Sequence, residues 1–168
     1  MSPGPSLEGC FFGMGCPKEE MRMTLVARTQ LQPFHLAIPV RDLEATRLFY
    51  VDFLGCRVGR SAPRWIDFDF FGHQLSVHLV SDEDDPTVAT NPVDGDKVPA
   101  RHFGVVLPWG DWQILSSQLL EKKTEFLIAP KTRFVGEPGE QGTFFLLDPS
   151  GNALEFKSFK EPERLFAR

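Results

Sequence analysis

The chain carries one hairpin pattern twice, D-F-F-G-H-Q-L-S-V at 69–77 and D-P-S-G-N-A-L-E-F at 148–156. Each copy is a turn built on glycine between two runs of strand-forming residues. What surrounds the two hairpins repeats as well. In the first half PFHLAIPV reads as a strand, and RDLEATRLFYVDFLG reads as a helix with Asp42 as its cap and Gly55 just past its end. Leu48, Phe49 and Phe53 share one face of that helix. CRVGRS, RWIDFDFF and HQLSVHLV then follow as three strands. The alternation in RWIDFDFF puts Ile66 and Phe68 on one face and the acids on the other.

The second half repeats this order. RHFGVVLP is a strand, GDWQILSSQLLEKK is a helix capped by Asp111 with Trp112, Leu115, Leu119 and Leu120 as its apolar stripe, and FLIAP is a strand. A polar loop, KTRFVGEPGEQ, leads into the hairpin TFFLLDPSGNALEFKSF. The expected fold class is therefore α+β, with two βαβββ modules pairing into a curled β-sheet barrel around a cavity. The modules span 32–80 and 101–160. An acidic, turn-rich connector separates them at 81–100, an extension precedes them at 1–31, and a tail follows at 161–168.

Composition narrows the function classes. At 168 residues with a net charge of -5 the chain has no basic stripe for nucleic acid, and no apolar run is long enough to cross a bilayer. A small-molecule partner is expected. Three cysteines imply no disulfide framework, and the first residues lack the pattern of a secretory signal, so a cytoplasmic location is expected.

Two histidines occupy equivalent places in the repeat, His35 and His102, each near the start of its module's first strand. Glu155 lies in the apolar run ALEF of the last strand, where a buried carboxylate is costly unless paired or bound to metal. Two imidazoles and one carboxylate are the ligand set of non-heme Fe(II) oxygenases. The same three residues also fit a plainer reading, in which each histidine only fills a half-buried strand position. Aligning the hairpins on Gly72 and Gly151 puts Ser76 opposite Glu155, and His78 two residues further along on the same face. His78 is a candidate general acid/base, or with a shifted register a fourth ligand. Ser76, Arg133 and Phe145 are candidate substrate contacts. Arg133 lies in the polar loop, which suits a flap, and its guanidinium can fork onto a carboxylate.

The stretches FHLAIPVRDLEATRLFY, RHFGVVL and DPSGNALEFK resemble the vicinal oxygen chelate superfamily, which includes glyoxalase I, bleomycin resistance proteins and type I extradiol dioxygenases. More closely, RWIDFDFFGHQLSVHL, TNPVDG, HFGVVL and GEQGTFFLLDPSGNALEFK are similar to that superfamily's short extradiol-type dioxygenases. The resemblance implies a divalent metal, Fe(II) first with Mn, Ni or Zn as alternatives, on His35, His102 and Glu155, with His78 as acid/base. It also implies a small substrate with vicinal oxygens and O2 as co-substrate. A homodimer is expected, and the paired halves assemble either within one chain or by exchange between two. Extradiol enzymes commonly carry a tyrosine upstream of the glutamate ligand, where this chain has Phe144 and Phe145, so a substrate other than a catechol is implied. A glyoxalase-type lyase or isomerase and a bleomycin-resistance-like binding protein are the competing expectations.

Overall fold

The structure is a computed structural model that describes residues 31–81, 90–93, 95–137 and 139–166, the side chains of 90–93 excepted. The extension expected at 1–31 lies outside the described residues except for Leu31, and so does most of the connector's acidic first half. Pro33–Arg168 form one unit.

The first module runs β1 (His35–Val40), α1 (Leu43–Arg47), β2 (Arg57–Ala62), β3 (Trp65–Phe70) and β4 (His73–Leu79). Asp42 caps α1, its Oδ1 accepting the amides of Glu44 and Ala45 at 2.8 and 3.0 Å. Such a cap is worth about 1 kcal/mol. The helix then widens into a π turn over Leu48–Phe53 that sends Tyr50 into the core and leaves Leu48 49% exposed, so of the expected face Phe49 and Phe53 pack on the core and Leu48 does not. Phe71 and Gly72 make the β3–β4 turn with φ of 51° and 87°, a conformation that glycine adopts without strain.

The second module runs β7 (Phe103–Val106), α2 (Trp109–Glu121), β8 (Ile128–Arg133), β9 (Gln141–Leu147) and β10 (Ala153–Phe159), followed by a 3-10 turn at Pro162–Phe166. Asp111 is not the cap of α2. The helix starts at Trp109, and Asp111 lies in its first turn, where a negative charge suits the helix dipole. Trp112 and Leu119 are buried, but Leu120 faces solvent. Within the stretch expected to be a plain connector, β5 (Thr90–Val93) and β6 (Asp96–Pro99) pair antiparallel.

The sheets are four-stranded with orders β1-β4-β3-β2 and β7-β10-β9-β8, so the duplication seen in the sequence is also present in the topology. Neither sheet closes on the other into a barrel within this chain. One core cluster explains this, because Ile38, Val40, Phe68, Leu75 and Val77 of the first sheet join Phe144, Leu146, Leu154 and Phe156 of the second beneath α1 and α2. The two modules therefore share the faces that their helices cover, and on the opposite face of the second sheet Val98 of β6 packs with Ile128 and Phe145. Tyr50 pins the modules together by donating to Asp148 Oδ2 at 3.3 Å, and Asn152 Nδ2 donates to the Pro39 carbonyl at 3.0 Å. Burial, followed by the charge of Asp148, drives the Tyr50 phenol well above its ordinary range.

Candidate metal centre

The open face of the second sheet carries the candidate ligands. His102 stands just before β7, and β10 places Glu155 beside it in parallel register, with Glu155 opposite Gly104. A Cβ on Gly104 would lie 1.6 Å from the Glu155 carbonyl oxygen, so only glycine lets the strands come this close. His102 Nδ1 is 2.7 Å from the Pro99 carbonyl, which can only accept, so Nδ1 carries the proton and donates. That leaves Nε2 with its lone pair, 3.3 Å from Glu155 Oε2. A lone pair and a carboxylate oxygen are both acceptors, so a cation must lie between them, either a proton or a metal ion. Ligands at roughly 2.0–2.2 Å from one ion span such a gap.

The other carboxylate oxygen is held from behind. Glu155 Oε1 accepts the Thr143 hydroxyl at 2.7 Å and faces Lys157 Nζ at 3.3 Å. The Phe145 ring lies edge-on to the His102 imidazole with centroids 5.3 Å apart. Outer partners of this kind fix the tautomer and orientation of metal ligands. The donor set and its supports therefore fit a divalent ion. A cavity of about 430 Å3 opens at this point, lined by His102, Val106, Glu155, Lys157, Phe159 and Leu165.

His35 does not join this pair within the chain. It sits on the exposed face of β1 in register with Gln74, and among the described residues no three metal-ligating side chains converge. By the repeat Ser76 is the counterpart of Glu155, since Ala37 pairs with Ser76 as Gly104 pairs with Glu155. Ser76 is buried and donates to Asp67 Oδ1 at 2.5 Å, while Gln74 and Arg60 each donate to Oδ2 at 3.1 Å. Burial raises the Asp67 carboxyl, but the bonds from Ser76, Gln74 and Arg60 outweigh it and hold the group below its ordinary range. His78 is exposed on the same face, in register with Pro39. His73 has the opposite parity and is half-buried, accepting the Phe34 amide at 3.0 Å.

Of the expected substrate contacts, Phe145 is buried against His102 and Ser76 is tied to Asp67. Arg133 ends β8 instead of lying in a loop, is 5% exposed, and pairs with Asp96 of β6 at 2.6 Å. Lys131 pairs with the same Asp96. The sequence reading missed Asp67, Thr143 and Lys157. The two-residue period of β10 puts Lys157 on the face of Glu155 and could have exposed it, whereas Thr143 depends on the hairpin register.

A sequence profile of the glyoxalase/bleomycin resistance protein/dioxygenase superfamily matches residues 32–156. The chain belongs to that superfamily. A solved superfamily member from Alicyclobacillus acidocaldarius, described as a glyoxalase/bleomycin resistance protein/dioxygenase, is 39% identical. The match covers 80% of this chain and 96% of that one with a TM-score of 0.67. The lactoylglutathione lyase of Agrobacterium tumefaciens is 15% identical over 84% of this chain and 100% of its own, with a TM-score of 0.54. A fosfomycin resistance protein of Listeria monocytogenes is 15% identical over 82% of this chain and 99% of its own, also at 0.54. These two show the fold alone. None of the curated proteins matches. Glyoxalase/dioxygenase superfamily membership thus establishes the architecture, and the reaction has to be argued from the site.

Proposed function

We propose that this superfamily member is a metal-dependent enzyme, an extradiol-type dioxygenase with Fe(II) as its first-choice ion, acting on a small molecule with two adjacent oxygens. The observation that carries the reading is the approach of His102 Nε2 to Glu155 Oε2 at 3.3 Å, with each side chain held from behind. With His35 added, the set is two imidazoles and a carboxylate, which leaves open positions and suits Fe(II). When bound, such an ion supplies Lewis acidity and one-electron chemistry toward O2.

His35 reaches the pair from a second copy of the chain. The face that bears it is open in one chain, and so is the face that bears His102 and Glu155, so two copies stacked face to face complete two equal sites. His78 holds or delivers a proton at a substrate oxygen. It stands four ladder positions from Gln74, the partner of His35, which is roughly 13 Å along the strand. That spread favours the acid/base role over a fourth ligand. Phe145 places an apolar ring against His102 where a phenol would otherwise donate, while Phe144 points into the core, which supports a substrate other than a simple catechol.

The test is elemental analysis of protein purified without oxygen, comparing wild type with Glu155→Ala and His35→Ala, followed by an O2-consumption screen with vicinal-oxygen compounds. About one iron per chain is expected in the wild type, lost in both variants. Turnover that persists under strict exclusion of O2 would move the assignment to a lyase or isomerase. No metal in the wild type after reconstitution would leave a binding protein.

A further inference from the structure

We propose that Lys157 is the anion-binding residue of this cavity, so that its small-molecule ligand carries a carboxylate or an equivalent negatively charged group beside an apolar body. The inference rests on the metal reading above and names the substrate class of that site. Lys157 follows Glu155 by two residues on β10, so both side chains rise from one face, and the two line the same cavity with His102. The ammonium is 3.3 Å from Glu155 Oε1, and its side chain is only 30% exposed.

The neighbouring cations differ from it. Lys131, Thr143 and Lys157 form one row across β8, β9 and β10, and Arg133 lies in the next row. Lys131 and Arg133 both hold Asp96, a carboxylate outside the candidate metal pair. Among the described residues the one carboxylate paired with Lys157 is Glu155. That partner is the residue assigned to the metal. Glu155 and Lys157 cancel as a pair, so a divalent ion adds its whole charge to a half-buried pocket. A neutral ligand leaves that charge uncompensated, whereas an anion offsets it. The remaining walls, Val106, Phe159 and Leu165, are apolar and suit the body of the ligand.

The experiment uses the full chain loaded with Zn2+, which binds without turnover, with benzoate and its neutral counterpart benzamide as probes. Calorimetry gives both affinities for wild type, Lys157→Gln and Lys157→Arg, and elemental analysis gives the metal content of the same samples. Glutamine keeps an N–H for Glu155 Oε1 and removes only the charge. With every sample brought to equal metal content by saturating Zn2+, Lys157→Gln is expected to bind benzoate about tenfold more weakly with unchanged benzamide affinity, and Lys157→Arg to stay near wild type. Metal bound at wild-type level with equal benzoate affinity in Lys157→Gln overturns the inference and leaves the metal reading standing. Metal lost together with benzoate affinity in Lys157→Gln also overturns it, because Lys157 then acts by orienting Glu155. A wild type that takes up no metal overturns both.

Discussion

Thr143 is 1% exposed, and its hydroxyl donates to the Glu155 oxygen that faces away from His102. Replacing it with valine keeps the volume and removes that bond, so Glu155 can rotate about its side chain. Thr143→Val is expected to lower metal affinity about 10–100-fold in a chelator-competition titration, with a loss of only about 1 kcal/mol in urea unfolding. An unchanged affinity would show that Lys157 or packing alone orients the carboxylate. On the other sheet Asp67 serves stability. Its folded carboxyl lies below the ordinary 3.8, so the stabilisation is present above that value and is lost as pH falls through the lowered folded value. Asp67→Asn should therefore be less stable than wild type at pH 7 and lose part of the wild type's decline in unfolding midpoint below about pH 4. His102 and Glu155 were legible in the sequence because a repeat gave the histidine an equivalent and an apolar run made the acid conspicuous. Asp67 was not, because the same alternation that marks a strand assigns its acids to solvent, and only the Ser76, Gln74 and Arg60 donors make its burial tolerable.

The strand β10 that carries Glu155 is held by α2. Trp112 lies on Gly142 of β9 and donates its indole N–H to the Phe156 carbonyl at 3.0 Å, one residue from Glu155. A Cβ at Gly142 would come within 2.8 Å of the indole ring, so Gly142→Ala has to displace the helix or the strand. A loss of about 1–3 kcal/mol in urea unfolding is expected, with a shift in tryptophan emission. Wild-type stability in this variant would mean that α2 sits further from the sheet. Elements of this kind were readable where a two-residue or helical period ran unbroken, as in β3, β4, β9 and β10. Reading failed at α2's first turn, where backbone geometry at Pro108 rather than a side-chain cap starts the helix. It failed again at the connector, whose acidic composition hid the antiparallel pairing of β5 with β6. That strand pair matters to the site, since Pro99 orients His102 and Asp96 pairs with both Lys131 and Arg133.

In Pro33–Arg168 the repeat dictates two sheets but not which faces meet, because both modules carry the same alternation. The shared aromatic core, with Phe70 and Phe71 packed on Phe156, joins them through the helix-covered faces and turns the polar faces outward. Under the proposed function, the polar faces that bear His35 on one sheet and His102 with Glu155 on the other are completed by a second copy. Mixing two defective chains tests this. His35→Ala keeps His102 and Glu155, Glu155→Ala keeps His35, and each alone should hold no metal. In a mixed dimer one of the two sites has all three ligands, contributed by both chains, and the other has only a single histidine. After unfolding and refolding an equimolar mixture, random assortment predicts about a quarter of the wild-type metal per chain. Refolded homodimers of either variant should stay empty. If the mixture also stays empty while wild type refolds with full metal, the ligands come from one chain, and the two sheets must rearrange within it to bring His35 to His102 and Glu155.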